Sequence, residues 1–168
     1  MKPADGAGPG ADSERLGWPK RFLVRLLHVY FAVSRGMTLG VRAACFDEAG
    51  RIFLVRHTYV SGWHLPGGGV ERGETAIEAL IKEMREEGNL EPVSPPKLFH
   101  VYFNARISRR DHVLLYRVTV RQTAERPADR EIAEAGFFDL DRLPDGATQA
   151  TLRRIAELTG DLAPAHHW

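Results

Sequence analysis

Residues Gly67–Leu90 read GGGVERGETAIEALIKEMREEGNL, a glycine-rich turn running into a helix loaded with carboxylates. Pro66 followed by Gly67, Gly68 and Gly69 does not fit regular structure. Three consecutive glycines suit positive φ or a close approach of backbone to another group. Thr75 can cap a helix, and Glu78, three residues on, can return a bond to the cap's N–H. Ile77, Leu80, Ile81 and Met84 recur at helical spacing and predict one apolar face. Gly88-Asn89 predicts a left-handed stop.

The acids are harder to explain as mere helix surface. Glu83, Glu86 and Glu87 stand at i, i+3 and i+4, so their side chains converge on one patch in the last turns. Like charges at this spacing repel, and the C-terminal end of a helix already carries partial negative charge. Each such term costs from a few tenths of a kcal/mol to about 1 kcal/mol when exposed. A solvated face with Lys82 and Arg85 interleaved could bear it. A divalent cation among the carboxylates would remove the conflict, because Mg²⁺ and Mn²⁺ select oxygen ligands. Ala76 and Ala79 leave room beside Glu83, and Glu74 stands at the start of the helix to reach the same space. The acids alone leave both readings open.

The joint spacing is more specific. From Gly68 there are five residues to Glu74, then seven, then Lys82-Glu83-Met84-Arg85-Glu86-Glu87-Gly88-Asn89-Leu90. This resembles the Nudix hydrolase signature: Gly, five residues, Glu, seven residues, then Arg-Glu-apolar-x-Glu-Glu-x-Gly-apolar. The first Gly, the four Glu and both apolar positions match. Lys82 stands where the family has Arg, and Asn89 where it has the final Gly. Asn tolerates the left-handed conformation. Lys replaces a planar fork by a point charge, which would orient Glu83 less firmly.

The resemblance implies an α/β/α sandwich with a mixed β-sheet and the motif helix packed on it. It also implies a divalent-metal-dependent pyrophosphohydrolase acting on a nucleoside diphosphate linked to another moiety. Carried over residue by residue, Glu83, Glu86 and Glu87 become metal ligands for Mg²⁺ or Mn²⁺, with the Gly67 carbonyl a further one. Gly68, Glu74 and Lys82 support the motif. The family often takes a general base or extra ligand from a loop outside it, and Glu131 within Glu125–Glu134 is the candidate. A catalytically weak nucleotide-binding or sensor module is the alternative.

Outward from the motif, the chain of 168 residues has one domain's worth of sequence. The net charge of +1 gives no global field that would point to a nucleic-acid partner. A single cysteine, Cys45, excludes an internal disulfide and suits a reducing, cytoplasmic setting. Residues 1–13 are Pro, Gly and Ala-rich and predict a disordered tail. Residues 14–36 form a basic, apolar segment expected to be helical. It is too charged and too short to span a bilayer. It could pack on its own domain, form a homodimer surface, or lie on a membrane surface.

Residues 37–160 carry the hydrolase-like domain. Strands are expected at Gly40–Phe46, Arg51–His57, Leu98–Ile107, His112–Arg121 and Phe137–Leu140. A closing amphipathic helix is expected at Thr148–Leu158, with Leu152, Ile155 and Ala156 inward. Strands, a helix, more strands and a last helix again describe a sheet covered on both faces. Residues 161–168 are expected to be a flexible tail. Arg42, Arg56, Arg106 and Arg109 are candidates for a substrate phosphate. Trp63, Tyr102 and Phe103 are candidates for stacking on a base.

Overall fold

The computed structural model describes residues 26–27, 30–31 and 33–168. The chain divides into two units, 1–36 and 37–168. In the first, the described residues from Leu26 to Ser34 are helical, and the Arg35 N–H donates to the Phe31 carbonyl at 2.8 Å. The expected tail at 1–13 and most of the 14–36 segment lie outside the described residues. No helix among the described residues is long and apolar enough to cross a membrane.

The second unit runs β1 (Thr38–Phe46), β2 (Ile52–His57), β3 (Trp63–His64), α1 (Ala76–Gly88), β4 (Leu90–Pro92), β5 (Lys97–Phe103), β6 (Asp111–Gln122), β7 (Ile132–Phe138) and α2 (Gln149–Thr159). Its sheet is mixed. β1 and β6 lie parallel in register from Thr38↔Asp111 to Phe46↔Thr119. β2–β7, β5–β6 and β4–β6 are antiparallel. β1 meets β2 only where Phe46 faces Ile52, so the two strands part. The gap is filled by the glycine turn: the N–H groups of Val41 and Ala43 donate to the carbonyls of Gly68 and Pro66, at 2.9 and 2.8 Å.

Side-chain alternation explains the two layers. Ala43, Cys45, Phe53 and Val55 point to one face and pack with Ala79, Leu80 and Met84 of α1. Ala44, Phe46, Ile52 and Leu54 point to the other and pack with Ile155 and Leu158 of α2. A strand covered on both faces reads as a continuous apolar run, as Ile52–Val55 does. Wholly buried Leu80 and Met84 each contribute about 1.5–3 kcal/mol by leaving water. The α/β/α sandwich expected from the sequence is therefore present.

The helix limits of α1 are set locally. The Glu78 N–H donates to Thr75 Oγ1 at 3.2 Å, and the Thr75 N–H to Glu78 Oε2 at 2.7 Å, the reciprocal box read from the sequence. Asn89 ends the helix at φ 50°, ψ 39°. Elsewhere three expectations change. β5 stops at Phe103 rather than 107, because Asn104 turns the chain: its side-chain amide donates to Asp111 Oδ2 at 2.8 Å, and its carbonyl accepts from Ile107 and Ser108. β7 begins at Ile132, five residues before the expected strand. The inner face of α2 includes Arg154 and Glu157, with neither Leu152 nor Ala156 among its buried residues.

Those two charges correct the expected loose tail at 161–168. Arg154 Nη2 meets Glu157 Oε1 at 2.7 Å, both buried, and Tyr102 donates to Glu157 Oε2 at 2.6 Å. The tail closes over them. The Ala165 N–H donates to Glu157 Oε1, and the His167 carbonyl accepts from Arg154, each at 3.1 Å. The Trp168 ring stands 5.4 Å from that of Tyr102, and the Phe103 N–H and carbonyl pair with His166 and Trp168. Arg154→Met leaves a buried carboxylate without its cation and is expected to destabilise the fold by about 3–5 kcal/mol, read from urea unfolding. A loss under 1 kcal/mol would mean the network contributes little.

Candidate active site

The acids of α1 face a cavity of about 470 Å³ between the glycine turn, the last turns of the helix and the loop before β7. Glu83, Glu86, Glu87 and Glu131 all line it, together with Gly67 and Gly68. Two of the carboxylates are built into its wall. Glu87 is 9% exposed; its Oε2 accepts the Gly67 N–H at 2.8 Å, and its Oε1 lies 3.5 Å from His57 Nε2. Burial pushes the Glu87 carboxyl up to about 7, against the pull of the Gly67 N–H and Arg42. Burial lowers the His57 pKa, and Arg42 and His64 lower it further, against the pull of Glu131. The Glu83 carboxylate lies where a Cβ on Gly68 would be, and burial raises it too, with Lys82 opposing. Glu86 is exposed at the rim.

The glycines are there for space. A Cβ on Gly67, at φ 143°, would run into the Val41 carbonyl oxygen, and one on Gly68 into Glu83. At Gly67 and Gly68 the turn thus lies close between β1 and α1, while Gly69 has open space around it.

Arg42 has a different place from the expected one at a substrate phosphate. Its Nη1 donates to the carbonyls of Gly67 and Leu65, at 2.7 and 3.0 Å, so it holds the glycine turn. The oxygen expected to bind a metal therefore already carries a cation. Lys82 also departs from expectation: its Nζ lies 3.4 Å from both oxygens of Glu74, and Glu74 Oε1 accepts the Glu71 N–H at 2.6 Å. Its direct partner is the carboxylate that stiffens the loop ahead of the helix, not Glu83.

Arg56 pairs with Glu134 across β2 and β7 and is not in the cavity wall. Trp63, expected to contact substrate, is 8% exposed and packs edge-on to Phe138 at 4.9 Å in the α2-side core. Tyr102 is wholly buried, and Phe103 packs beside His112 and His167.

Four cavity residues were not singled out from the sequence: Tyr59, Arg126, Asp129 and the apolar Ile132. Tyr59 is 71% exposed and stands on the wall. Arg126 and Asp129 form an ion pair in the loop that carries Glu131. Two bonds from Ile132 and Glu131 N–H groups and the Arg126 guanidinium hold the Asp129 carboxyl well below its usual range. Asp two residues before Glu131 is a readable Asx-turn signal; nothing local marks Tyr59.

The donors present are hard oxygens, and Gly68 leaves a recess for the Glu83 carboxylate, so the residues fit a Mg²⁺-type ion in kind. Among the described residues, no three His, Cys, Asp or Glu side chains stand close enough to hold one ion by themselves. Magnesium does not require that, since it keeps waters and shares its shell with substrate phosphates.

Comparison with known proteins agrees with this architecture. The NUDIX domain model matches residues 36–158. An ADP-ribose pyrophosphatase from Methanocaldococcus jannaschii is 40% identical over 102 residues, 58% of this chain and 60% of that protein. An RNA pyrophosphohydrolase from Halorhodospira halophila is 39% identical over 59 residues, 35% of this chain and 33% of that protein. The chain thus spans from a third to three fifths of the length of these relatives. The crystal structure of a MutT NUDIX hydrolase from Burkholderia pseudomallei superposes with a TM-score of 0.61 at 25% identity, covering 72% of this chain and 97% of that one. A family model matched over most of the chain, on a sandwich whose helix turns its glutamates into one cavity, places the chain in the NUDIX domain family.

Proposed function

We propose that the chain is a divalent-metal-dependent pyrophosphohydrolase that cleaves the diphosphate of a nucleoside diphosphate linked to another group. The observation that carries this reading is the convergence of Glu83, Glu86, Glu87 and Glu131 on one cavity. Mg²⁺ or Mn²⁺, when bound, would neutralise phosphate charge and acidify water. Glu83, Glu86 and Glu87 are the residues that would hold it together with water and substrate oxygens, since no three such side chains among the described residues stand close enough to do so alone. The buried Glu87, held by the Gly67 N–H, would set the position, and the exposed Glu86 would close the outer side. The Gly67 carbonyl is a weaker candidate than the motif implies, because Arg42 occupies it.

Glu131 sits across the cavity on a separate loop. Its carboxylate would take the proton of the attacking water as the new P–O bond forms and the bridging P–O bond breaks. Lys82 acts through Glu74 on the loop that leads into α1. Tyr59 offers the exposed ring on which a base or similar planar group can stack, the role the sequence pointed to in Trp63. Buried, unpaired Cys45 suits the reducing cytoplasm in which such nucleotides occur.

A catalytically weak binding module is favoured by one observation, the Arg42 cation on the Gly67 carbonyl. Tight nucleotide binding without turnover in Mg²⁺ or Mn²⁺ would select it.

Three variants test the enzyme reading against a panel of ADP-ribose, nucleoside diphosphate sugars and nucleoside triphosphates with Mg²⁺. Glu131→Gln is expected to lower kcat by about 10²–10⁴-fold. Glu87→Gln should lose activity by at least about 100-fold while melting no lower than the wild type without added metal, because a neutral amide still accepts the Gly67 N–H. Retained turnover in Glu87→Gln would count against the assignment. Tyr59→Ala is expected to raise KM about tenfold for substrates with a base, at unchanged kcat, and to leave KM for inorganic polyphosphate alone. An equal change for both would remove the stacking role.

A further inference from the structure

The loop from Thr123 to Ile132 is tied to the end of α1 at two points, and both ties come from residues outside the expected site. Asn89 sits at the signature position of a glycine and takes the same left-handed conformation, φ 50°. Unlike glycine, it has a side-chain donor: Nδ2 reaches the Glu125 carbonyl at 3.0 Å. Its own carbonyl accepts the Thr123 N–H at 2.9 Å and Thr123 Oγ1 at 3.0 Å.

Arg126 makes the second tie. Its Nε donates to the Glu86 carbonyl at 2.7 Å, one of the helix-end carbonyls that lack an intrahelical partner. A guanidinium there also meets the negative end of the helix dipole. The same side chain, 12% exposed, pairs with Asp129. Asp129 Oδ1 in turn accepts the N–H groups of Glu131 and Ile132, both at 2.8 Å. A continuous chain of bonds therefore runs from the Glu86 backbone through Arg126 and Asp129 to the Glu131 backbone. On the far side, the Thr58 N–H donates to the Glu131 carbonyl at 2.9 Å.

We propose that Asn89 and Arg126 are positioning residues that clamp this loop to the end of α1, so that Glu131 is held facing the helix carboxylates. The proposal rests on the assignment of Glu131 as the acting group across the cavity. It also turns the departure from the family signature at position 89 into a working part: restoring glycine there keeps the helix stop and the backbone bonds to Thr123, and removes the side-chain bond to Glu125. Lost second-layer bonds of this kind cost about 10–100-fold in activity.

The experiment uses the full chain, the fastest-hydrolysed substrate of the panel and Mg²⁺, with Asn89→Gly, Asn89→Asp and Arg126→Ala made singly and in a Glu131→Gln background. Asp keeps the left-handed turn without donating, so it controls for backbone conformation. Expected is a loss in kcat of about 10-fold or more with KM within about twofold. In the Glu131→Gln background this further loss should vanish, as for groups acting through one another. A purely structural defect would persist there, and that result would overturn the proposal. So would wild-type kcat in Asn89→Asp and Arg126→Ala while Glu131→Gln is impaired. Full activity in Glu131→Gln would sink the assignment of Glu131 and the clamp with it.

Amide deuterium exchange over residues 123–132 tests the clamp without turnover and so separates it from the enzymatic reading. Faster exchange in Asn89→Gly and Arg126→Ala is expected, and unchanged exchange in both would contradict the clamp even if no substrate is ever cleaved. Should Arg126→Ala fail to fold, the Asn89 pair carries the test.

Discussion

The fit of a glycine turn between a strand and a helix governs the rest of this molecule. Pro66 and Gly68 complete the hydrogen bonding of β1 where β2 has turned away. On its other side the same turn gives the Gly67 N–H to Glu87 and makes room for Glu83. A side chain at Gly67 would strike the β1 backbone, and one at Gly68 would displace the Glu83 carboxylate. The turn is therefore held at backbone distance from β1, and it meets α1 through the Glu83 and Glu87 carboxylates. The apolar face of α1 supplies adhesion; the turn decides where its acids end up.

That arrangement carries a cost. Glu83 and Glu87 are gathered where burial opposes their charge, and neighbouring acids add to it. A lone protein would not gain stability by placing them there. Arg42 offsets part of the charge from β1, at the expense of the Gly67 carbonyl. A site that is unfavourable when alone and oxygen-lined is suited to a ligand that brings positive charge. Titratable groups whose charge is opposed by burial and like-charged neighbours cluster at functional sites.

Much of this was legible in the sequence, for physical reasons. The limits of α1 depend on Thr75, Glu78 and Asn89, which act within a few residues, and the acids depend only on helical spacing. Short apolar runs bounded by turn residues made the central strands readable. What escaped was non-local. An arginine on a strand meets phosphate or loop according to what folds against its edge, so Arg42 and Arg56 could not be assigned from their own surroundings. Trp63 is drawn inward by Phe138, more than seventy residues away. Nothing local marks the polar pair of α2 as buried; Tyr102 and the C-terminal residues, distant in sequence, close over it. Asn104 cut β5 short through a bond to Asp111 that no propensity encodes.

The claim beneath all of this is that the carboxylates of α1 are gathered to share divalent cations, and crystals soaked in Mn²⁺ address it most directly. The account expects anomalous density inside the cavity, with oxygens of Glu87 and at least one of Glu83 and Glu86 about 2.1 Å away. A cavity free of anomalous density at saturating Mn²⁺, or an ion held only by residues elsewhere on the surface, would contradict it.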